Sequence, residues 1–321
     1  MDLIYTDTMG NDVGVLKDYT LDLAFGSDEN DFELTVDLKH HCCEVGCLVY
    51  IENTEYGGII DGWIVSTVDE KLTYVGRTWH GILAMKIIEP DPGESYMKVS
   101  GEANEVIGGL INRLGLSDLF VTPTEQSGLF IDNYSFDRYI DAYSGIKKML
   151  ELISAKVKFT FAEGKVIISA VPSVDYSQDE QFDNESVEMQ IENRDNTVNH
   201  LICLGKGELK DRTVVHLYVD ANGNVSDVQT IFGSQEQVSV LDYPSVESEE
   251  ELVNNGVNKL KELRNARVVE MDFTADEDTY DVGDTIGAEE IITGTIAVEK
   301  ITKKIVTINK GEVNIQYKVG E

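Results

Sequence analysis

The densest group of chemically capable side chains is His40-His41-Cys42-Cys43-Glu44-Val45-Gly46-Cys47. Thiolates and imidazoles are good Zn²⁺ ligands. The spacing argues against a zinc site, because Cys-Cys-x-x-x-Cys lacks the Cys-x-x-Cys knuckle that aims two thiolates at one ion. On a strand, moreover, Cys42 and Cys43 would point to opposite faces. Cys203 brings the total to 4. In a chain of this length that is a poor disulfide framework, adjacent cysteines rarely pair with each other, and all four are expected to be reduced thiols. Asp220, Asn222 and Asn224 imitate the opening of a Ca²⁺ loop. A complete loop needs Gly at its sixth position and Glu at its twelfth, where Val225 and Ile231 stand, so the segment reads as a hairpin turn. Asp276-Glu277-Asp278 reads as a solvated loop, with weak Ca²⁺ binding as the sharper alternative. Gly205-Lys206-Gly207 lacks the spacing of a phosphate loop.

Catalytic signatures are missing. There is no Gly-x-Ser-x-Gly elbow, no His-Glu-x-x-His and no cysteine–histidine pair in a catalytic context. With 59 Asp and Glu residues, two carboxylates at glycosidase distance arise by accident and carry no signal without a cleft. His80, His200 and His216 sit in apolar or strand-like surroundings and are expected to be structural. No residue is therefore assigned a catalytic, cofactor-binding or metal-binding role, and a non-enzymatic protein without a cofactor is expected.

The charge balance is the strongest compositional fact. The 59 acidic residues face 26 Lys and Arg, a net charge of −33. Such a surface repels the nucleic-acid backbone, since binding by counterion release needs cations on phosphates. Self-repulsion also costs compactness, so the excess asks for a reason. Solubility is the plain one; a Ca²⁺-loaded surface, or a wall that DNA slides past without sticking, are the sharper ones. The longest apolar runs fall far short of the roughly 20 residues of a membrane helix. The first residues carry neither a basic nor an apolar leader region. A soluble protein without membrane insertion is expected.

The elements that must position these side chains follow from periodicity. In 321 residues, 42% hydrophobic, two or three cores fit. Residues 1–92 show short alternating strands: Phe32-Leu34-Val36, Leu48 to Ile51, Ile59 to Val68 and Leu72 to Val75, as in a small barrel or sandwich. Residues 93–185 change character. Ala103, Val106, Ile107, Leu110, Ile111 and Leu114 lie at helical spacing before Gly115. A second helix is predicted from Ser144 as N-cap, carrying Ile146, Met149, Leu150 and Ile153, and a hairpin over 156–171 follows. An acidic connector, Asp175 to Glu188, leads into residues 186–321. There, strands are predicted at Leu201–Leu204, Thr213–Val219 and Val228–Phe232, with Ala221-Asn222-Gly223-Asn224 turning between the last two. One helix over about 247–265 opens on a capping box of Ser248 and Glu251, and its Gly256 costs about 1 kcal/mol relative to Ala. A last hairpin joins Ile301–Ile308 to Val313–Val319. The fold class is β-rich and multi-domain (α+β): two β-barrel domains bracketing a smaller α+β domain.

Read in order, several short segments resemble the tail hub, or tail-tip, proteins of siphophages and prophages of Gram-positive bacteria, which in turn look like contractile-phage baseplate hubs. They are Asp31-Phe32-Glu33-Leu34-Thr35-Val36, Gly57-Gly58-Ile59-Ile60-Asp61-Gly62, Gly76-Arg77-Thr78-Trp79-His80-Gly81-Ile82-Leu83 and Arg138-Tyr139. Asn199-His200-Leu201, Gly205-Lys206-Gly207-Glu208-Leu209, Leu217-Tyr218, Tyr280-Asp281-Val282-Gly283-Asp284 and Ile301-Thr302-Lys303-Lys304-Ile305-Val306 continue the series. The resemblance covers essentially the whole chain, and rests on the order of individually short motifs. It implies tail-tube-like barrels and a homotrimer whose six barrels ring the end of the tail tube in the virion. It also implies contacts with the tape-measure protein, the distal tail protein and a spike or receptor-binding apparatus. Some relatives add a C-terminal peptidoglycan hydrolase; this sequence stops at Glu321, after the last hairpin, so a built-in wall-degrading activity is not expected. The competing readings are a Ca²⁺- or carbohydrate-binding β protein, and a cell-wall hydrolase using paired carboxylates.

Overall fold

The structure is a computed structural model that describes residues 1–177, 181–183, 188–193, 198–220, 223–246, 248–264, 267–275 and 278–320. Contacts divide the chain into two compact units, 1–189 with 270–321, and 190–269. The first 92 residues and residues 93–189 thus share one unit, while the expected boundary at 185/186 lies outside the described residues.

In the first unit the alternation read from the sequence sets the strands. Phe32, Leu34 and Val36 are buried while Asp31 and Glu33 face solvent, the pattern of a sheet with one wet side. The largest sheet runs, neighbour to neighbour, Arg267–Ala275, Glu312–Val319, Thr295–Asn309, Thr20–Gly26, Asp31–Asp37, Lys71–Thr78, Gly57–Ser66, Leu48–Tyr50, Leu3–Thr6 and Asp12–Leu16. Strands from the two ends of the chain are thereby hydrogen-bonded side by side: Thr20–Gly26 pairs antiparallel with Lys303–Asn309. Thr295–Asn309 is long enough to serve twice, since residues 295–300 pair instead with Thr285–Glu290. The β-rich, multi-domain reading holds, and among the described residues no sheet closes into a barrel. Part of the expected connector is itself a strand, with Gln181–Asp183 pairing parallel to Gly287–Glu289.

Gly58 and Gly76 show how tightly these strands stack. A Cβ on Gly76 would lie 2.0 Å from the Ile59 carbonyl oxygen and 2.8 Å from the Phe32 ring, so only glycine lets the ring lie flat on the sheet.

Beside this sheet three helices build a second core. Helix α1 (Trp79–Ala84) is opened by Thr78, whose Oγ1 accepts from Gly81 N–H. Helix α2 (Ala103–Arg113) starts at Glu102, whose carboxylate accepts from Glu105 N–H at 3.0 Å. Helix α3 (Ala142–Glu151) is capped by Asp141, accepting from Ser144 N–H at 2.9 Å. The N-cap is therefore Asp141 and not the expected Ser144, because the helix extends three residues further toward its N-terminus and the Asp141 carboxylate accepts from the Ser144 N–H. The hairpin Ala155–Ala162 and Lys165–Pro172 is in register throughout. Trp79, Ile107, Phe120, Phe136, Ile146, Phe159 and Phe161 form the core of this layer. Because Tyr50, Trp79 and Leu83 of the first 92 residues belong to the same core, the two segments pack as one body.

The second unit is a four-stranded sheet ordered Val225–Ser226, Val214–Val219, His200–Leu204, Val238–Asp242. Helix α4 (Glu249–Arg264) covers it through Leu252 and Leu260 against Leu201, Cys203 and Leu217. Ser248 is the N-cap, its Oγ accepting from Glu251 N–H at 3.4 Å, which is one half of the expected capping box. Gly256, unfavourable by propensity alone, has a packing reason: a Cβ there would sit 2.6 Å from Cys203 Sγ and from Leu217 Cδ1. The expected return strand Val228–Phe232 is not formed. Only Val225–Ser226 pairs with Val214–Val219, and the parallel strand Val238–Asp242 takes the other side of the sheet, a long-range pairing that local turn signals do not announce.

Candidate functional site: a buried charge cluster and two exposed hairpins

The most unusual chemistry of the first unit centres on Lys304, which is fully buried. Its register partners in the neighbouring strands are Phe25 and Tyr317, and strand alternation turns its side chain to the buried face of the sheet. Nζ donates to Glu55 Oε1 at 2.7 Å and to Asp278 Oδ1, and lies 3.9 Å from Asp281 Oδ1. The rings of Phe25, Tyr56 and Tyr317 face the same cation at 5.7, 5.7 and 5.9 Å, a cation–π cage of the usual span. Tyr56 Oη donates to Asp278 Oδ2 at 2.5 Å. Burial alone would lower the Lys304 ammonium, but Glu55, Tyr56 and Asp278 outweigh it and hold it well above the ordinary lysine value. Burial pushes the Glu55 carboxyl up, with Lys304 offsetting part of that.

A second buried ion pair adjoins. Lys156, on the hairpin of the 93–185 segment, donates to Asp281 Oδ2 at 2.7 Å and Asp284 Oδ2 at 2.6 Å. Asp284 is fully buried and also accepts from Val174 N–H and Asp281 N–H at 2.8 and 2.9 Å, so both of its oxygens are hydrogen-bonded. Although burial works the other way, Lys156 and Lys304 hold the Asp281 carboxyl below its ordinary value. His80 stacks on Phe25 with centroids 4.7 Å apart and 2° between planes, and packs on Phe159 and Tyr143. Burial first, then the Lys304 charge, push it down to about 3, so it is neutral. Glu55, Asp278 and Asp281 bring carboxylate oxygens within 4.8 Å of one another; the cation they surround is the Lys304 ammonium.

This cluster was not visible as a site in the sequence, yet three of the family-like motifs meet in it: Thr78-Trp79-His80, Tyr280 to Asp284, and Lys303-Lys304. Asp278 is a solvent-exposed loop residue, as expected of the 276–278 run, and is at the same time ion-paired to the buried Lys304; Asp276 and Glu277 lie outside the described residues. His80 is buried in aromatic packing against Phe25, Tyr143 and Phe159. In the second unit His200 and His216 form a chain, with His200 Nδ1 at 2.7 Å from Glu236 Oε1 and His200 Nε2 at 2.8 Å from His216 Nδ1. Asp220 spends both carboxylate oxygens on Asn224, at 2.8 and 3.0 Å, a turn-closing arrangement; Asn222 lies outside the described residues. Gly207 adopts φ +111° at a tight turn, in keeping with a structural glycine. The His40–Cys47 segment holds no strand: it leaves the 3-10 turn Leu38–His40 as loop and closes in a second turn in which Cys47 N–H donates to the Glu44 carbonyl at 3.2 Å. The strand geometry that would have separated Cys42 from Cys43 therefore does not apply. All four cysteines are free thiols.

Two hairpins expose apolar side chains. On Gly57–Ser66, Trp63 and Ile64 are 54% and 60% exposed, and Val68 at the turn is 90% exposed. Consecutive strand residues point to opposite faces, so this end of the hairpin stands clear of the core on both. Leu48–Tyr50 pairs only with residues 57–59, leaving one edge of 62–66 without a strand among the described residues. The Thr285–Glu290 and Thr295–Asn309 hairpin carries Ile291 and Ile292, 59% and 89% exposed, at its turn. Apolar tips of this kind mark interaction surfaces more than they mark monomers.

A scan against protein-family models finds no match to the chain, and no curated protein matches it. Solved structures do. A prophage tail protein from Shewanella oneidensis aligns at TM-score 0.56 and 10% identity, over 99% of this chain and 98% of that one. A prophage tail protein from Listeria monocytogenes aligns at 0.53 and 11%, over 99% and 94%. A tail protein from Neisseria meningitidis aligns at 0.51 and 11%, over 100% and 96%. At these identities the likeness is one of fold. The chain has a phage tail protein fold, and the resemblance drawn from its ordered motifs agrees with it. Among the described residues no helix is long and apolar enough to cross a membrane.

Proposed function

We propose that this chain is a structural, non-enzymatic subunit of a phage tail, located in the virion at the tail tip or baseplate hub. The observation that carries the reading is the end-to-end match of fold, 99% of this chain on 98% of a prophage tail protein. A match over whole lengths, and not over one shared module, makes the tail role the economical inheritance. In this reading three copies assemble, and the open sheets of the 1–92 and 186–321 segments complete tail-tube-like barrels around the 93–185 segment when neighbours cover their edges. The exposed Trp63–Val68 and Ile291–Ile292 tips are the contacts with neighbouring copies, with the distal tail protein, or with the spike apparatus. A trimer carries 3 × (−33) = −99 formal charges; placed partly on a lumen, they let the tape-measure protein and DNA pass without binding.

The mass of the particle in solution tests this. Sedimentation of the purified chain at increasing concentration is expected to reveal a trimer or a ring built of trimers. A chain that stays monomeric at high concentration, and also fails to join purified tail tubes, would refute the hub reading. Released fragments on incubation with peptidoglycan would contradict the non-enzymatic one.

A further inference from the structure

Cys42 and Cys43 place their sulfurs 3.5 Å apart. Cys43 is fully buried and Cys42 is half-buried, so the two differ in access to solvent. Their backbone N–H groups both donate to Tyr74 Oη, at 2.9 and 3.1 Å, which holds the two residues side by side on one anchor. Tyr74 itself is buried in the strand Lys71–Thr78. This loop is therefore built, not fortuitous: a hydroxyl from the sheet fixes the peptide that carries both thiols.

We propose that the Cys42–Cys43 pair is a redox-active dithiol, with Cys42 the attacking sulfur and Cys43 the resolving one. The oxidant is a low-molecular-weight disulfide. Cys42 thiolate attacks one sulfur of it, forming a mixed disulfide and expelling one thiolate. Cys43 then gives up its proton, and its sulfur attacks Cys42 Sγ. That breaks the mixed disulfide and expels the second thiolate. Two protein thiols are oxidised to one vicinal disulfide while the external disulfide is reduced to two thiols, so electrons and protons balance. The geometry assigns the roles: the more exposed sulfur, Cys42, meets the oxidant, and the buried one lies 3.5 Å from it. In support, the hydrogen bond from Cys43 lowers the Cys42 thiol to about 7 against the opposing effect of burial, while the same bond keeps the proton on Cys43, whose value is raised. The inference does not depend on the tail reading.

The experiment treats the folded full-length chain with oxidised glutathione and maps thiols by mass spectrometry. The natural chain is expected to lose two hydrogens in the peptide holding Cys42 and Cys43, to carry no lasting adduct, and to recover both thiols with dithiothreitol. In Cys43→Ser, exchange is expected to stop at the mixed disulfide, leaving glutathione on Cys42. A measurement needing no variant accompanies it: in the native chain at neutral pH, Cys42 is expected to be alkylated about tenfold faster than an ordinary thiol, from its larger thiolate fraction. A stable glutathione adduct on Cys42 of the natural chain, or Cys42 alkylation no faster than that of Cys203, would overturn the proposal.

Discussion

At the scale of single residues, the buried lysine is the feature whose removal has the clearest consequence. Lys304 makes no net contact with water, and three carboxylates depend on it. Replacing it by Met leaves the enclosed Glu55 carboxyl without its cation and frees the exposed Asp278, and breaking a buried pair such as Lys304–Glu55 costs about 3–5 kcal/mol. Denaturant midpoints are expected to fall accordingly. The triple change Lys304→Met, Glu55→Gln, Asp278→Asn should recover much of the loss, since it removes the orphaned charges as well. A single variant as stable as the natural chain would show the cluster to be dispensable. His80 adds a pH effect. Its folded value near 3 lies below the ordinary 6.5, so the unfolded chain binds the extra proton first. The stability His80 contributes is therefore complete above about pH 6.5 and drains away as pH falls toward 3. In His80→Phe the fall of stability over that window should be shallower; an unchanged slope would move the acid sensitivity to the carboxylates.

At the scale of elements, close strand contact and helix caps decide the geometry. Gly76→Ala puts a methyl 2.0 Å from the Ile59 carbonyl, and the sheet must open to admit it. A loss of about 3 kcal/mol is expected, at the upper end for overpacking, with Gly62→Ala as the control because its nearest neighbour is 3.6 Å away. Asp141→Ala removes the α3 cap and should cost about 1 kcal/mol, read as a lowered Tm. The existence and type of several longer elements were legible from periodicity: the alternation at 32–36, the helical spacing at 103–114, the hairpin at 156–171; the strand Thr20–Gly26 was not. What failed was local. The α3 cap was misplaced by three residues because Asp141 and Ser144 are both good caps and only the backbone path selects one. The strand expected at 228–232 does not form: only Val225–Ser226 stands beside Val214–Val219, and the sheet grows at its opposite edge, where Val238–Asp242 pairs parallel with His200–Leu204, a pairing no nearby residue encodes.

At the scale of the whole molecule, charge and apolar tips pull in opposite directions. A net charge of −33 disfavours both compaction and self-association at low ionic strength. Thermal stability is therefore expected to rise with added salt, and association with it. Ile64→Asp together with Ile292→Asp adds charge to the two exposed tips without touching a core. Such a variant is expected to keep its Tm while losing assembly, as sedimentation would show; unimpaired assembly would clear both hairpins of an interface role.

The sequence by itself determined what depends on near neighbours: a β-rich, multi-domain texture, the acid excess, the lack of catalytic motifs and the ordered series of tail-like segments. Only the tertiary structure decided where those segments go. It joined residues 20–26 to 303–309 in one sheet, and folded Tyr50, Trp79 and Leu83 into the core of the following segment. It also drew Glu55, His80, Lys156, Asp281 and Lys304 into one buried cluster. These contacts join positions up to 289 residues apart, and such closures are driven by burial and charge pairing in three dimensions. A linear pattern carries no record of them.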